Sequence, residues 1–222
     1  MTGVTLPTMS ARLAAITSAL FSAATMLAIA PPATADPCSD VNVVFARGTN
    51  DSPGIGRVGQ AFSDALSTQI GGRSLTTYAV NYPASYDFLA AADGAADATN
   101  YISALTAQCP ATRIVLGGYS QGAAVVDMLG GVPPLGNKIG EVGSAPPLPG
   151  SLLPNIAAVA VFGNPATKFS NPITSSIFGG RAIDLCKDGD PICSGGRNPF
   201  AHSDYVSAGL PQRAASFVAG LV

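Results

Sequence analysis

Apolar and polar positions along this chain fall into two rhythms, short unbroken apolar runs and longer stretches with helical spacing. Val41 to Ala46 (Val-Asn-Val-Val-Phe-Ala) is a run of the length of a buried strand. A loop rich in Gly, Asn, Asp and Pro follows, from Arg47 to Gly56. Val58, Phe62, Ala65, Leu66 and Ile70 then recur at helical spacing, and Gly71-Gly72 is placed to end that helix. Leu75 to Tyr82 reads as a second strand closed by Pro83. Phe88 to Gln108 is Ala-rich and helical, with Leu89, Ala92, Ala96, Tyr101 and Leu105 as its expected packed face. Arg113 to Gly118 is a third strand, Gln121 to Gly130 a helix, Ile156 to Phe162 a fourth strand and Ala182 to Leu185 a fifth. Ser203 to Leu221 is a weaker, Ala-rich terminal helix. Strands alternating with helices predict an α/β fold, a parallel sheet of about five strands with helices on both faces. Residues 131–155 break both rhythms with Pro133, Pro134, Pro146, Pro147, Pro149 and Pro154. A loop of this length is either functional or a surface excursion.

The start of the chain follows a different pattern. Residues 13–30 carry no charge, Arg12 precedes them, and Ala33-Thr34-Ala35 has the small-x-small form of a cleavage site. Residues 1–35 therefore read as a secretory signal peptide removed after Ala35, with a retained membrane anchor as the rival reading. Residues 36–222 are expected to form a single domain.

Composition narrows the partners. Eleven basic and thirteen acidic side chains leave a net charge of −2, which becomes −3 once Arg12 is removed with the leader. No basic patch or charge run occurs, so nucleic acid is not an expected partner. Charged residues make up only 11% of the chain, which leaves a surface of small polar and apolar atoms. The four cysteines lie in the expected mature chain, and an even count in an exported protein points to two disulfides. Cys186 and Cys193 are close in sequence with Gly189 and Pro191 between them, so they pair, which leaves Cys38 with Cys109. No Cys-x-x-Cys spacing is present and the chain has one histidine, so no metal site is expected.

The most informative stretch is Gly118-Tyr119-Ser120-Gln121-Gly122, between the third strand and the helix after it. Strand, tight turn and helix with a serine at the tip is the pattern of a nucleophile elbow. Side chains two residues before or after the serine would clash in so sharp a turn, and glycine removes the clash. The following helix N-terminus favours negative charge developing beside Ser120. A serine hydroxyl is a weak nucleophile and needs a base, which in turn needs an orienting group. The lone histidine, His202, is the only candidate base, and it lies downstream of Ser120 as the order Ser, acid, His requires. Between the two lie Asp127, Glu141, Asp184, Asp188 and Asp190. Asp127 is too close to the elbow to reach round the imidazole. Asp188 and Asp190 sit inside the small cystine loop, which would hold a carboxylate rigidly; spacing alone does not separate them. The expected oxyanion donors are the Gln121 N–H and an N–H from the loop Arg47-Gly48-Thr49.

Four pieces then carry a family resemblance: Phe45-Ala46-Arg47-Gly48-Thr49, Gly118-Tyr119-Ser120-Gln121-Gly122, Cys186-Lys187-Asp188-Gly189-Asp190-Pro191-Ile192-Cys193, and Ala201-His202. Their order and spacing resemble the cutinase family, and more closely the secreted cutinase-like serine esterases of actinobacteria. The resemblance implies an α/β-hydrolase with a central five-stranded parallel sheet and no large cap domain. It implies Ser120 as nucleophile, His202 as general base and acid, and Asp190 rather than Asp188 as the acid, from Gly-Asp-x-x-Cys. It places oxyanion donors at Thr49 and Gln121 and supports the cystines Cys38–Cys109 and Cys186–Cys193. Plant-pathogen members carry Ser where Thr49 stands; Thr keeps the hydroxyl and adds a methyl group that can narrow the acyl site. Residues 82–88 and 198–200 would flank the cleft. The expected function is a secreted esterase, free or held at the cell wall, that needs no cofactor and cleaves carboxylic esters with short- to medium-chain acyl groups, with small-molecule esters, lipids and cutin-like polyesters as the candidate substrates. A monomer with transient contact to lipid or envelope surfaces is expected. An acyltransferase or phospholipase acting on cell-envelope lipids, and a secreted non-catalytic binding protein on the same fold, are the alternatives.

Overall fold

The computed structural model describes residues 1–3, 38–133, 135 and 142–222. Most of the expected signal peptide, and Glu141, lie outside the described residues. Within the unit Asp36–Val222 the expected sheet is present. The strands β1 (Val41–Ala46), β2 (Leu75–Ala79), β3 (Arg113–Tyr119), β4 (Ile156–Phe162) and β5 (Ala182–Leu185) lie in the order β2-β1-β3-β4-β5, all parallel. The α-helices among the described residues are α1 (Gly56–Ser67), α2 (Ala91–Gln108), α3 (Gln121–Leu129) and α4 (Leu210–Ala219).

Strand side chains alternate between the two faces. Val41, Val43, Phe45, Val115, Ala158, Ala160 and Phe162 pack against Val58, Phe62 and Leu66 of α1 and Ala214, Ala215 and Val218 of α4. Val44, Ala46, Ile114, Leu116, Val159 and Val161 pack against α2 and α3. Phe45, Phe62 and Phe162 meet ring to ring with centroids 5.9–6.4 Å apart. The ring of Phe45 lies where a Cβ at Gly117 would stand, 2.4 Å away, so β3 needs glycine there. No cap domain is inserted among the described residues.

Three expectations are corrected. The second strand stops at Ala79 rather than Tyr82. Asp97 of α2 accepts the Asn81 N–H at 2.8 Å, and Arg47 donates to the carbonyls of Tyr82 and Pro83, so the chain is drawn off the sheet edge. The helix from Phe88 begins with a 3-10 turn, Phe88–Ala90, and its packed face is Ala91, Gly94, Ala95, Ala98 and Ile102. Leu89 is exposed instead, and Tyr101 is half-buried, stacked on Tyr78. Small residues let α2 lie close to its neighbours: a Cβ at Gly94 would come within 3.1 Å of both Tyr82 and Val125. The terminal α-helix is shorter than Ser203–Leu221. His202 sits in a 3-10 turn, Pro199–Ser203, whose Asn198 side chain accepts the Phe200 N–H. Gly209, in the left-handed conformation, starts α4 anew.

Candidate active site

Five parallel strands bring their carboxyl ends to one edge, and every expected site residue lies on the segments that leave that edge. Ser120 follows β3, Thr49 follows β1, and Asp190 and His202 lie in the chain after β5. Ser120 has φ 57° and ψ −118°. A Cβ at Gly118 would lie 2.2 Å from the Gly122 carbonyl oxygen, and one at Gly122 would lie 2.0 Å from that of Ala46. Both positions therefore admit only glycine, for the steric reason expected of the elbow.

Three side chains far apart in sequence meet here. His202 Nε2 lies 2.8 Å from Ser120 Oγ, and Nδ1 lies 2.7 Å from Asp190 Oδ2. Asp190 is fully buried, and its Oδ1 accepts the Ile192 N–H. Burial pushes this carboxyl up, but the bonds from His202, Tyr205 and Ile192 outweigh it and hold it below the ordinary value. The carboxylate carries no proton near neutrality, so Nδ1 donates to it and Nε2 is left to accept the serine hydrogen. The imidazole is further held by Tyr119, whose ring stacks on it at 5.1 Å and whose hydroxyl donates to the His202 carbonyl. Gly163, at φ 60°, makes room, since a Cβ there would meet His202 Cε1 at 2.9 Å.

The other candidate acids lie elsewhere. Asp188 is exposed. Asp184 accepts bonds from Asn164, Thr167 and the Ile173 N–H, and Asp127 accepts one from Asn164. Burial raises both carboxyls, Asp127 further through the neighbouring charge of Asp184.

The loop carrying Thr49 is rigidly tied. Arg47 is buried and donates to the Asp51, Tyr82 and Pro83 carbonyls, Gly48 N–H donates to Asp51, and Asn50 N–H to Ala84. The Thr49 hydroxyl donates to Gln121 Oε1 at 3.2 Å, so the two expected oxyanion residues are bonded to each other. Gln121 is the first residue of α3, where the N–H has no carbonyl one turn back to receive it. The Gln121 side chain is buried and its Nε2 has no hydrogen-bond partner among the described residues.

A cleft of about 500 Å³ opens over this arrangement. Tyr86 and Phe88 wall one part of it, as expected of residues 82–88, with Val142 beside them. Residues 198–200 were expected to flank it too, but Pro191 and Ile192 line it instead. Asn198 is turned to local bonds with Phe200 and the Gly189 carbonyl, and Phe200 is 80% exposed. Both cystines are formed, Cys38–Cys109 and Cys186–Cys193. Sequence reasoning passed over Tyr119, Gly163, Asn164 and Tyr205. For Tyr205 the available signal was an aromatic residue three places after the only histidine.

The chain was compared with known proteins. The Cutinase family profile matches residues 37–222. Phospholipase Culp4 of Mycobacterium tuberculosis (strain ATCC 25618 / H37Rv) is 49% identical over 216 residues, covering 95% of this chain and 92% of the relative. Carboxylesterase Culp1 of the same strain is 45% identical over 194 residues, covering 83% and 82%. Among solved structures, Trichoderma reesei cutinase in complex with a C11Y4 phosphonate inhibitor is 35% identical, with a TM-score of 0.66, covering 84% of this chain and 78% of that one. An acetylxylan esterase is 26% identical with a TM-score of 0.70, covering 83% and 99%.

Proposed function

The chain belongs to the cutinase family and is a carboxylic ester hydrolase, and from that premise we propose that it works as a serine esterase through Ser120, His202 and Asp190. The carrying observation is the continuous chain of bonds from Ser120 Oγ through His202, both lining an open cleft, to the buried carboxylate of Asp190. His202 takes the serine proton as Oγ attacks the ester carbonyl. The N–H groups of Thr49 and Gln121 receive the oxyanion, each donor being worth roughly 3 kcal/mol. Asp190 stays ionised and steadies the imidazolium. His202 returns the proton to the departing alcohol, and water activated by the same imidazole then releases the acid from the acyl-serine.

Ser120→Ala tests this directly. Hydrolysis of p-nitrophenyl butyrate is expected to fall by more than about 10⁴-fold with folding intact; parent-like turnover would refute the assignment.

The substrates are carboxylic esters of small molecules, with short- to medium-chain acyl groups. Cleavage of phospholipids is a second reading. It is favoured by two cations, Arg57 and Lys168, that line the same cleft, and by the likeness to Phospholipase Culp4. Rates across p-nitrophenyl esters of rising acyl length, set beside phospholipid vesicles and triglyceride emulsion, separate the two.

Two cystines and the family membership accord with an extracellular enzyme. Export would use residues 1–35 as a removable leader. Secreted material sequenced from its N-terminus is expected to begin at Asp36; a start at Met1 would exclude removal.

A further inference from the structure

The Asp190 carboxylate does not serve the imidazole alone. Its Oδ2 accepts two bonds, one from His202 Nδ1 at 2.7 Å and one from the Tyr205 hydroxyl at 2.6 Å. Tyr205 is fully buried. Its ring is boxed by Phe162 at 6.4 Å, Tyr119 at 5.5 Å and His202 at 6.2 Å. The Lys187 N–H donates to the phenol oxygen at 3.2 Å. The one hydroxyl hydrogen is therefore turned away from Lys187 and toward the carboxylate. Cys193 Sγ, 3.2 Å away, belongs to a cystine and has no hydrogen to offer. Burial and the Asp190 charge both hold the phenol protonated, its pKa raised well above the ordinary value, so the donor is permanent.

We propose that Tyr205 is a positioning residue for ester hydrolysis, setting which oxygen of Asp190 faces His202 and how strongly that oxygen pulls on the imidazole. The proposal rests on the reading of Ser120, His202 and Asp190 given above.

The physical argument concerns a shared oxygen. Electron density given to the phenol hydrogen is not available to Nδ1–H, and a bond to the ionised form makes a carboxylate a weaker base. Without the hydroxyl, Oδ2 would be more basic and would stabilise the imidazolium more. His202 would then hold its proton to higher pH, and the fraction able to accept the Ser120 proton at a given acidic pH would fall. The carboxylate would also lose one of the three bonds that fix its rotation. Neither effect touches substrate, so both act on turnover rather than on binding.

Tyr205→Phe removes one oxygen and keeps the ring that packs on Phe162. The acid limb of kcat/KM for p-nitrophenyl butyrate reports the free enzyme's base. It is expected to move up by about half a pH unit or more, with kcat lower by roughly 10-fold and KM little changed. In an Asp190→Asn background the same change is expected to cost less than about twofold, because the path through the carboxylate is already gone. Site-specific 3-fluorotyrosine at position 205 is nearly isosteric and a stronger donor; it is expected to move the acid limb downward, and it keeps the test open if Tyr205→Phe folds poorly. An acid limb unmoved in both variants, or equal losses in the two backgrounds, would overturn the proposal and leave Tyr205 a packing residue. A Ser120→Ala protein that still turns over ester would remove the triad reading and this proposal with it. An inactive Ser120→Ala beside an unmoved acid limb would remove the Tyr205 role alone.

Discussion

Ser120 holds a backbone conformation, φ 57°, that residues other than glycine rarely adopt, and such a residue stores on the order of 1–3 kcal/mol. Gly118 and Gly122 supply the room that makes the turn passable, and the helix behind it supplies unbonded N–H groups. A different economy governs Asp127 and Asp184. Both carboxyls are bonded to the one Asn164 amide, and Asp127 Oδ2 and Asp184 Oδ1 are buried with no hydrogen-bond partner among the described residues. Burial raises both pKa values from 3.8. The folded state therefore keeps these protons at pH values where the unfolded chain has released them. By linkage, their contribution to stability is full below about 3.8 and is lost as pH rises through the folded values. Asp127→Asn keeps an oxygen for Asn164 and removes the titration. Its thermal midpoint is expected to fall less steeply with rising pH than the parent's, and at pH 8 to stand above it by about 2–4 °C. Parallel curves for the two proteins from pH 4 to 8 would reject this account.

The elements divide labour between the two cystines. Cys38–Cys109 joins the segment before β1 to the end of α2 across 71 residues, and Cys186–Cys193 closes a loop of separation 7 that carries Asp190. Loop-closure entropy predicts about 4 kcal/mol of stabilisation from the long loop and about 2.5 kcal/mol from the short one. Activity should rank them the other way. Replacing Cys38 and Cys109 by Ser is expected to lower the denaturant midpoint more and leave kcat near the parent value under native conditions. Replacing Cys186 and Cys193 is expected to lower kcat by 10-fold or more, because the carboxylate and the Tyr205 contact both hang on that loop. Equal kcat losses from the two pairs would contradict this division. The same scale explains where the sequence reading slipped. Periodicity identified α2 but ran its packed face through Leu89, Ala92, Ala96, Tyr101 and Leu105, whereas close helix contact selected the neighbouring stripe Ala91, Gly94, Ala95, Ala98 and Ile102. It ran β2 on to Tyr82 because nothing local reveals that Arg47 and Asp97 capture the chain after Ala79.

Across the whole molecule, the number of strands and their parallel direction were legible because apolar runs alternate with helical stretches over most of the chain; the strand order was not, and the crossover from β4 to β5 carries only 3-10 turns. Ser120, Gln121 and the glycines around them were legible for a related reason: the elbow is built from neighbours in sequence, and its steric demand for glycine is local. His202 was legible by scarcity, since no other imidazole exists. Asp190 was not separable from Asp188 by spacing; family likeness pointed to it, and the folded loop leaves Asp188 exposed and brings Asp190 to the imidazole. Tyr205, Tyr119 and Asn164 went unnoticed because their partners lie 15, 83 and 20 or more residues away. The amino-acid order by itself determined the parallel sheet, the elbow and the single imidazole proposed as the base, all matters of periodicity, local sterics and count. Only the tertiary structure decided which buried oxygens share a hydrogen, which residues wall the cleft and which face of α2 is covered. Those depend on where distant loops come to rest, and hydrogen bonding and packing act over a few ångströms in space whatever the separation along the chain.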